Sequence, residues 1–423
     1  MMAPVLPAHS TKMASNTATY RIDPVCDARW SSLVEWHPKA SIFHTPAWLR
    51  ALAQTYGYFV DLKAQYAVLK EEIREAIDEV LAAAHFVGGP WVERFEEEFA
   101  RFVGAKYAVG VSSGTAALEL ALRALEIGPG DEVIVPANSF FATAEAVSLV
   151  GARPVFADVD PSTFHLDIDS AEQLVTPRTR AIIPVHLFGR AMDLGPVERF
   201  AARYQLEIVE DAAQAHGVGR GGRPVGGSGR LCCFSFYPGK NLGAYGDAGA
   251  VTTGDRCQAD KIRILRDHGS PAKYEHSVIG SNDRLDALQA AILSVKLPHL
   301  FDWNWARVRH AKKLAEALGD SSIVPPEIPP DGEHNFHLFV IHTKRRDELK
   351  AFLGERGIAT GIHYPVPLHL TAAYQALGYP GEGTLPTTEA LAREILSLPM
   401  YPKLTDEQIE HATQALRDFT NHA

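Results

Sequence analysis

Apolar positions along the chain follow two spacings, one typical of helices and one typical of buried strands. In segments 61–81 and 86–104, apolar residues recur every three or four positions, which predicts two amphipathic helices. Short runs rich in β-branched and aromatic residues then follow, and helical patterns separate several of them. These runs predict strands at 107–111, 132–136, 154–159, 181–187, 206–211, 231–237 and 249–253.

This alternation of strands and helices predicts an α/β fold. Strands that are apolar along their whole length pack on both faces, so we expect a mostly parallel, seven-stranded sheet with helices on each side. The pattern changes after a long helical stretch, 283–318, which is broken around Pro298. Strand-like and helical runs beyond it predict a smaller carboxy-terminal α+β domain. We therefore expect a large domain at 61–300 and a small one at 301–423.

The first 60 residues differ in composition from the rest of the chain, so we interpret them as an amino-terminal extension. Segment 1–19 is polar and predicted to be disordered, whereas 30–58 is rich in tryptophan and resembles the opening of acyltransferases of the FemAB/GNAT-like kind. The segment is too short to build an acyl-CoA site. We interpret it as a helical appendage of the main body. The alternative is a fusion remnant that serves assembly or docks to a partner acyltransferase.

Composition narrows the class of protein. The 423 residues are 46% hydrophobic and 22% charged, as in ordinary globular enzymes, and the formal net charge of −10 argues against nucleic acid as a partner. No apolar run approaches the ~20 residues that span a bilayer, so we expect no membrane association. The four cysteines lack metal-ligand spacing, so we expect no metal and a cytoplasmic location.

Two residues after predicted strands suggest a specific chemistry. Lys240 lies in FSFYPGKNLG, after an apolar strand, and Asp211 lies in VEDAAQAHG, at the end of another. A lysine can form an imine with an aldehyde, and a carboxylate can keep a pyridine nitrogen protonated, so the pair suggests pyridoxal 5′-phosphate (PLP). Taken alone, Lys240 would indicate only a solvated loop, and Asp211 could instead cap a following helix.

Other motifs near strand ends fit the same cofactor. In SSGTAALELAL, Gly114 and Thr115 open a helix, whose free N–H groups suit a phosphate, and Ser235 could add a hydroxyl. Phe140 could stack on the pyridine ring or belong to the core. Gln214 follows Asp211 by three positions and could reach the ring hydroxyl. Because ligands collect at the carboxyl ends of parallel strands, we expect these motifs to meet in one crevice.

The order and spacing of these motifs resemble a known family. GVSSGTAALELAL, VPANSFFATAEAV, VEDAAQAHG, FSFYPGKNLGAYGDAGAV, SNDRLDALQAAIL and HYPVPLH are similar to stretches of the DegT-type nucleotide-sugar aminotransferases, which are PLP enzymes of fold type I. The resemblance runs from about Asp61 to the end. Related dehydratases carry histidine at the lysine position, so Lys240 favours transamination. Aspartate at 283, next to a phosphate-binding turn, departs from the usual family pattern.

The resemblance implies roles for individual residues. Lys240 would bind the cofactor aldehyde, Asp211 its ring nitrogen and Phe140 its ring face. Gln214 would lie near the ring hydroxyl, and Asn282 would reach the cofactor phosphate of a partner subunit in a homodimer with shared active sites. From sequence alone, Asn282 could also be a helix N-cap. The resemblance also implies two sets of binding residues. The cofactor phosphate would be bound by Gly114, Thr115 and Ser235, and the sugar or pyrophosphate of the substrate by Tyr237, Lys273, His363 and Tyr364.

The finer resemblance concerns the substrate. The run around Lys240, GSPAKYEH and HYPVPLH are most similar to enzymes that aminate C-3 of dTDP-linked 3-keto-6-deoxyhexoses, with glutamate as the implied donor. Enzymes acting at C-4 often have histidine where this chain has Tyr237. A C-4 aminotransferase and a UDP-linked substrate remain alternatives. From another class, a PLP-binding regulator without catalysis would be favoured by a basic helix-turn-helix segment, which the sequence lacks. Without the family, Lys273 would be read as a solvated surface lysine.

Overall fold

The computed structural model describes residues 62–319 and 321–421, all within one compact unit. The predicted extension, 1–60, lies outside the described residues. The predicted boundary between a large domain and a small one at residue 300 stays a prediction.

A seven-stranded sheet forms the central layer. Its strands are β1 (Tyr107–Val111), β2 (Glu132–Pro136), β3 (Arg153–Ala157), β4 (Thr179–Ile182), β5 (Glu207–Asp211), β8 (Leu231–Ser235) and β9 (Gly249–Thr253). A two-residue hairpin, β6 (Gly219–Arg220) with β7 (Arg223–Pro224), lies between β5 and β8 in the chain. The spatial order is β1-β9-β8-β5-β4-β2-β3. Only β9 runs antiparallel to its neighbours in this sheet. The predicted α/β class and mostly parallel sheet are therefore confirmed.

Helices alternate with the strands of the sheet and continue into the carboxy-terminal part of the chain. In chain order they are α1 (Leu62–Ala83), α2 (Pro90–Val103), α3 (Gly114–Ala124), α4 (Phe141–Leu149), α5 (Ile168–Glu172), α6 (Leu194–Tyr204), α7 (Arg256–Leu265), α8 (Ala287–Lys296), α9 (Leu300–Leu318), α10 (Arg346–Glu355), α11 (Ala372–Gln375), α12 (Pro386–Glu394) and α13 (Asp406–Asn421). Short 3-10 turns occur at Leu187–Gly189, Leu297–His299 and Leu368–Leu370.

Successive side chains of the sheet strands point to opposite faces and pack into two separate hydrophobic cores. Cys233 packs with Val209 and Val251 on one face, whereas Cys232 packs with Phe234 on the other. Both cysteines are buried, as their neighbouring positions in an apolar strand require. The sheet is thus buried on both sides, which explains why its strands read as continuous apolar runs.

The carboxy-terminal layer pairs β10 (Phe339–His342) with β11 (Ile395–Leu398) in antiparallel register. Apolar side chains of α9, α10 and α13 pack with this pair. The long helical stretch is interrupted where the sequence predicted: α8 ends at Lys296 and a 3-10 turn holds Pro298 before α9 begins. Among the residues from 62 onward that the structure describes, none of the helices is both long and apolar enough to cross a membrane.

Removing one ring from the aromatic core tests this packing. Phe99 is fully buried, with its ring centroid 5.0 Å from that of Phe234 and 5.1 Å from that of Phe236. We expect F99A to lower the free energy of unfolding by about 3–5 kcal/mol in urea titrations, because the cavity cannot fully close. F301A, at a phenylalanine that is 53% exposed, should cost about 1 kcal/mol or less. Equal losses in the two variants would contradict the assigned core.

Candidate active site

Two neighbouring strands bring the predicted acid and lysine to one edge of the sheet. β5 and β8 pair in parallel, with Asp211 opposite Cys233, so both strands end at the same side. Asp211 is the last residue of β5, and Lys240 follows the end of β8 by five positions. The negative charge of Asp211 acts on the Lys240 ammonium across this edge.

The loop that carries Lys240 is closed by its own backbone and held by a helix. The Lys240 amide donates to the Tyr237 carbonyl at 2.8 Å, and the Ala244 amide donates to the Phe236 carbonyl at 2.7 Å. Gly243 has no room for a side chain, since a Cβ there would lie 2.4 Å from the Pro238 carbonyl oxygen. These contacts give Lys240 a fixed backbone.

Helix α8 braces the far end of this loop. Gln289 Oε1 accepts a hydrogen bond from the Tyr245 amide at 2.8 Å. Lys296, which is fully buried, donates to the Gly243 carbonyl and lies with Nζ 4.9 Å from the Tyr245 ring centroid. Burial lowers the pKa of Lys296 to about 7. No local motif around Gln289 or Lys296 indicates this brace.

Burial also controls the protonation of Lys240. Loss of hydration lowers its pKa to about 8, and the nearby Asp211 carboxylate opposes this effect only in part. A lysine needs its neutral amine to attack an aldehyde or to accept a proton. The observed environment therefore increases the share of neutral amine that either role needs.

Three histidines surround Lys240 without adding charge at neutral pH. Burial first, and then the Lys240 charge, lower the pKa of His216 to about 3 and that of His363 to about 4. The same two causes hold the pKa of His337 well below its usual value. Because these rings are neutral, they do not add positive charge beside Lys240. The Asp211 carboxylate raises the pKa of Lys240, against the lowering effect of burial.

Asp211 is buried and held by donors on both carboxylate oxygens. Thr143 Oγ1 donates to Oδ2 at 2.7 Å, and the Ala213 amide donates to Oδ1 at 3.1 Å. The Ser139 hydroxyl lies 2.7 Å from Thr143 Oγ1. The chain after Asp211 forms turns rather than a helix, so the alternative role as a helix cap is wrong. Sequence reasoning missed Thr143, although it lies one helical turn after Phe140.

Gln214, Tyr364 and Phe140 lie together beside Asp211. Gln214 Nε2 donates to the Tyr364 hydroxyl at 3.1 Å, and its Oε1 accepts from the Phe188 amide at 2.6 Å. The Phe140 and Tyr364 ring centroids are 5.8 Å apart. Phe140 is 54% exposed, which excludes the alternative that it is a core residue. Burial, more than any other factor, raises the pKa of the Tyr364 hydroxyl, so it stays protonated.

The predicted phosphate residues meet at the start of α3. Gly114 opens this helix, and Ser113 caps it by accepting from the Ala116 amide at 3.1 Å. A Cβ at Gly114 would lie 2.6 Å from the Ser235 Cβ, so only glycine allows the helix to approach β8 this closely. Thr115 follows in the first turn. The free amides of this turn and the Ser235 hydroxyl form a donor set that suits an anion.

Asn282 lies near this turn but does not begin a helix. It precedes α8, whose N-cap is Asp286, so the alternative interpretation of Asn282 as an N-cap is wrong. Its side chain is exposed. Asp283, the unusual residue beside it, accepts a hydrogen bond from the Ser112 hydroxyl at 2.8 Å. This hydrogen bond fixes the orientation of the carboxylate, and its negative charge stays beside the α3 turn.

The remaining predicted residues divide into two places. His363 lies by Lys240 and has Nδ1 2.8 Å from the Ser397 hydroxyl. Tyr237 is half-buried in the Lys240 loop, and its amide donates to Ser235 Oγ at 3.3 Å. Lys273 instead lies on an exposed turn with Nζ 5.2 Å from the Tyr274 ring, and nothing in the described chain joins it to the cluster.

This set of residues fits PLP. A lysine whose pKa is lowered to about 8 would hold the aldehyde, and the buried Asp211 would face the ring nitrogen. The exposed Phe140 ring offers a stacking surface. Gly114, Thr115 and Ser235 would hold the phosphate. The cofactor would supply an electron sink for bonds broken at an amino-bearing carbon.

Comparison with known proteins supports the same chemistry. Residues 67–417 match the model of the DegT/DnrJ/EryC1/StrS aminotransferase family. A dTDP-3-amino-3,4,6-trideoxy-alpha-D-glucose transaminase of Streptomyces venezuelae is 48% identical, over 85% of this chain and 95% of its own. A pleiotropic regulatory protein of Geobacillus stearothermophilus is 47% identical, over 86% and 98%. A UDP-N-acetyl-3-dehydro-alpha-D-glucosamine 3-aminotransferase of Acidithiobacillus ferrooxidans is 46% identical, over 85% and 96%.

Solved structures share the fold. S. venezuelae DesV, solved in complex with a ketimine intermediate, superposes with a TM-score of 0.84 at 47% identity, covering 86% of this chain and 98% of that one. A Bacillus subtilis protein, NtdA, was solved with the bound cofactor pyridoxamine phosphate (PMP). It superposes with a TM-score of 0.78 at 33% identity, covering 83% of this chain and 82% of that one.

Chemical labelling tests the electrostatics of Lys240. A reagent that attacks only neutral amines should modify Lys240 in the cofactor-free protein with a midpoint near pH 8, as followed by peptide mass spectrometry. Asp211 favours the ammonium form, so D211N should lower the midpoint, by roughly half a unit to one unit. As a matched control, E126Q removes an exposed carboxylate that pairs with Lys261 and should leave it unchanged. An unshifted or raised midpoint in D211N would contradict the assignment.

Proposed function

Because this chain belongs to the DegT/DnrJ/EryC1/StrS aminotransferase family, we propose that it aminates carbon 3 of a dTDP-linked 3-keto-6-deoxyhexose, with glutamate as amino donor. The reaction class is transamination with PLP as cofactor. The observation that carries the proposal is a half-buried lysine, of pKa about 8, beside a buried aspartate at one sheet edge.

Each residue of the site has a task in this reaction. PLP, when bound, supplies the electron sink. Lys240 Nζ would hold the cofactor aldehyde until the amino group of the donor displaces it, and the released neutral amine would then take a proton from the donor carbon and return it to the product carbon. Asp211 keeps the ring nitrogen protonated, and Thr143 orients the carboxylate by donating to its Oδ2. Gln214 is fixed by Phe188 and Tyr364, and from this position its side chain would contact the ring hydroxyl.

Support for the position and nucleotide comes from similarity. A relative at 48% identity is named for a dTDP-linked 3-amino sugar, and another at 46% is named for a UDP-linked 3-amino transfer. Both names specify carbon 3, which favours C-3 over the alternative at C-4. The UDP-linked substrate remains the second candidate. Glutamate is carried over from the family.

We assign the sugar contacts to Tyr237, His363, Tyr364 and Lys273. Tyr364 lies against Phe140, and His363 lies by Lys240, so both border the place where the substrate carbon must react. Lys273, on its exposed turn, would contribute at the outer end of a nucleotide-linked substrate. Its positive charge suits a pyrophosphate.

A homodimer with shared sites is part of the proposal. Asn282 would reach the partner's cofactor phosphate, in keeping with its exposed position beside the α3 turn. Apolar side chains near this segment are also exposed, Tyr274 by 84% and Ile279 by 88%, and association would cover such surface. We place the enzyme in the cytoplasm, where nucleotide-linked sugars would be its substrates.

A regulatory role without catalysis is the contrasting candidate, because one relative at 47% identity is named a pleiotropic regulatory protein. This chain keeps both the lysine and the aspartate that transamination needs. A regulator that merely bound PLP would not require a lysine whose pKa is lowered towards neutrality.

Turnover of defined keto sugars tests the substrate. We expect the dTDP-linked 3-keto-6-deoxyhexose to be aminated with glutamate, with kcat/KM at least on the order of 100-fold above that of the 4-keto isomer or a UDP-linked analogue. K240R, which keeps the charge but cannot form the covalent link, should turn over none of them. Turnover of the 4-keto isomer alone would contradict the C-3 assignment, and no turnover of any sugar by the wild type would favour the regulatory candidate.

A further inference from the structure

A buried network of amide side chains lies behind the residues already assigned. Asn241 directly follows Lys240 and is 3% exposed, and Asn304 of α9 is 6% exposed. Asn335, in the segment that leads from α9 to β10, is fully buried. Buried amides are costly unless they are hydrogen-bonded, so their contacts define where each chain segment must lie.

Asn335 holds one strand-end loop at two points with its side chain and a second loop with its backbone. Its Nδ2 donates to the main-chain carbonyls of Gln214 and His216, both at 3.1 Å. Its main-chain amide donates to the Gly189 carbonyl at 3.0 Å. Gly189 has a φ of +96°, and a Cβ there would lie 1.8 Å from Asn335 Oδ1, so the loop after β4 fits against this amide only as glycine.

The link to the Lys240 loop runs through Asn241. Its Nδ2 donates to Asn304 Oδ1 at 2.8 Å and approaches the Asn335 carbonyl at 3.4 Å. Its Oδ1 lies 3.1 Å from His337 Nδ1. Asn304 in turn donates to the His216 carbonyl, in the loop after β5, at 2.8 Å. The loops after β5 and β8 are therefore joined through side chains of the carboxy-terminal part.

The segment that presents Asn335 is itself fixed by a buried cation. Arg307 of α9 is 2% exposed, and its Nη1 donates to the carbonyls of Phe336 at 3.1 Å and Met400 at 2.7 Å. The Asn335 Oδ1 atom also accepts from the His337 amide at 2.9 Å, which closes a turn. The amide is thus pre-oriented, so it does not lose side-chain entropy by adapting to the loops.

We infer that Asn335 is a positioning residue that, with Asn241, sets the spacing between the Lys240 loop and the Gln214 loop. It acts through other residues and touches no reacting atom. The Gln214 carbonyl is held by Asn335 while its side chain is held by Phe188 and Tyr364, and Lys240 is held through its neighbour Asn241. A displacement of about 1 Å between an amine and its target can cost roughly 100-fold in rate, so this spacing bears on turnover.

Three variants separate positioning from general stability. N335D keeps the volume and the acceptor but loses both N–H donors. N241A removes the link between the loops while leaving Asn335 in place. T388V is the matched control, because Thr388 is 1% exposed and its hydroxyl donates to Asp158 at 2.7 Å, away from these loops. Thermal unfolding of the full-length proteins measures the stability lost by each.

The first readout is hydrogen exchange, which needs neither cofactor nor sugar. In N335D and N241A, peptides covering 212–217 and 237–244 should exchange at least about threefold faster than in the wild type, because their anchors are lost. In T388V these peptides should be unchanged even if the melting temperature falls equally. Unchanged exchange in both network variants, or an equal change in T388V, would overturn the inference. If N335D does not fold, N241A decides alone.

The second readout rests on the proposed function. With PLP bound, the pH midpoint of the visible absorbance should shift by about half a unit or more in N335D and N241A. The rate constant of the glutamate half-reaction should fall by roughly 10- to 100-fold, with KM for glutamate changing less than about threefold. A selective rise in KM would contradict positioning. Absence of bound cofactor in the wild type would count against the proposed function, while hydrogen exchange would still decide the network.

Discussion

Parallel pairing of β5 with β8, in the register that sets Asp211 opposite Cys233, brings a carboxylate and the Lys240 loop to the same edge of the sheet. The rest of the site follows from this geometry. α4 contributes Thr143 to Asp211, and α3 begins against Ser235 because Gly114 has no side chain. Shifting the β5–β8 register by one residue would turn Asp211 to the opposite face of the sheet.

Two opposing effects act on Lys240 at this edge. Burial favours the neutral amine, the Asp211 carboxylate favours the ammonium, and the net result is a pKa of about 8. The pKa values of the surrounding His216 and His363 are lowered by loss of hydration and then by the Lys240 charge, so these rings stay neutral. A general acid or base works best when its pKa is near the working pH, so the balance suits a lysine that must both give and take protons. The hydrogen-bonded Lys240 loop and the buried amide of Asn241 limit the movement of Lys240 relative to Asp211, which preserves this balance.

Much of the fold could be predicted because its signals are local. Strands such as β2 and β8 are buried at every position, so each reads as an apolar run, and the break at Pro298 marks the end of α8. Lys240 and Asp211 stood out because glycine-rich or acidic motifs follow those runs. Ends of elements were less certain: the strand predicted at 181–187 is Thr179–Ile182 in the structure, and beyond it only an isolated bridge joins Val185 to Asp211 before a 3-10 turn begins at Leu187.

The remaining site residues depend on contacts between distant segments. Asn335 is 94 positions from Asn241 and 121 from Gln214, and nothing in its local sequence indicates which carbonyls it meets. Asn282 looked like a helix cap because α8 could have begun there, yet the helix starts at Ala287. Thr143 has a hydroxyl like many helix residues, and only the close approach of α4 to β5 gives it a partner. Long-range pairings of this kind are set by topology.

Reductive trapping tests the central assignment most directly. The purified full-length protein, loaded with PLP and treated with borohydride, should carry the reduced cofactor on the peptide that contains Lys240, and its visible absorbance should disappear on reduction. D211N should still be trapped at this lysine, since Asp211 acts on the ring nitrogen. A protein that binds no PLP, or that is trapped at another lysine while Lys240 stays unmodified, would contradict the account.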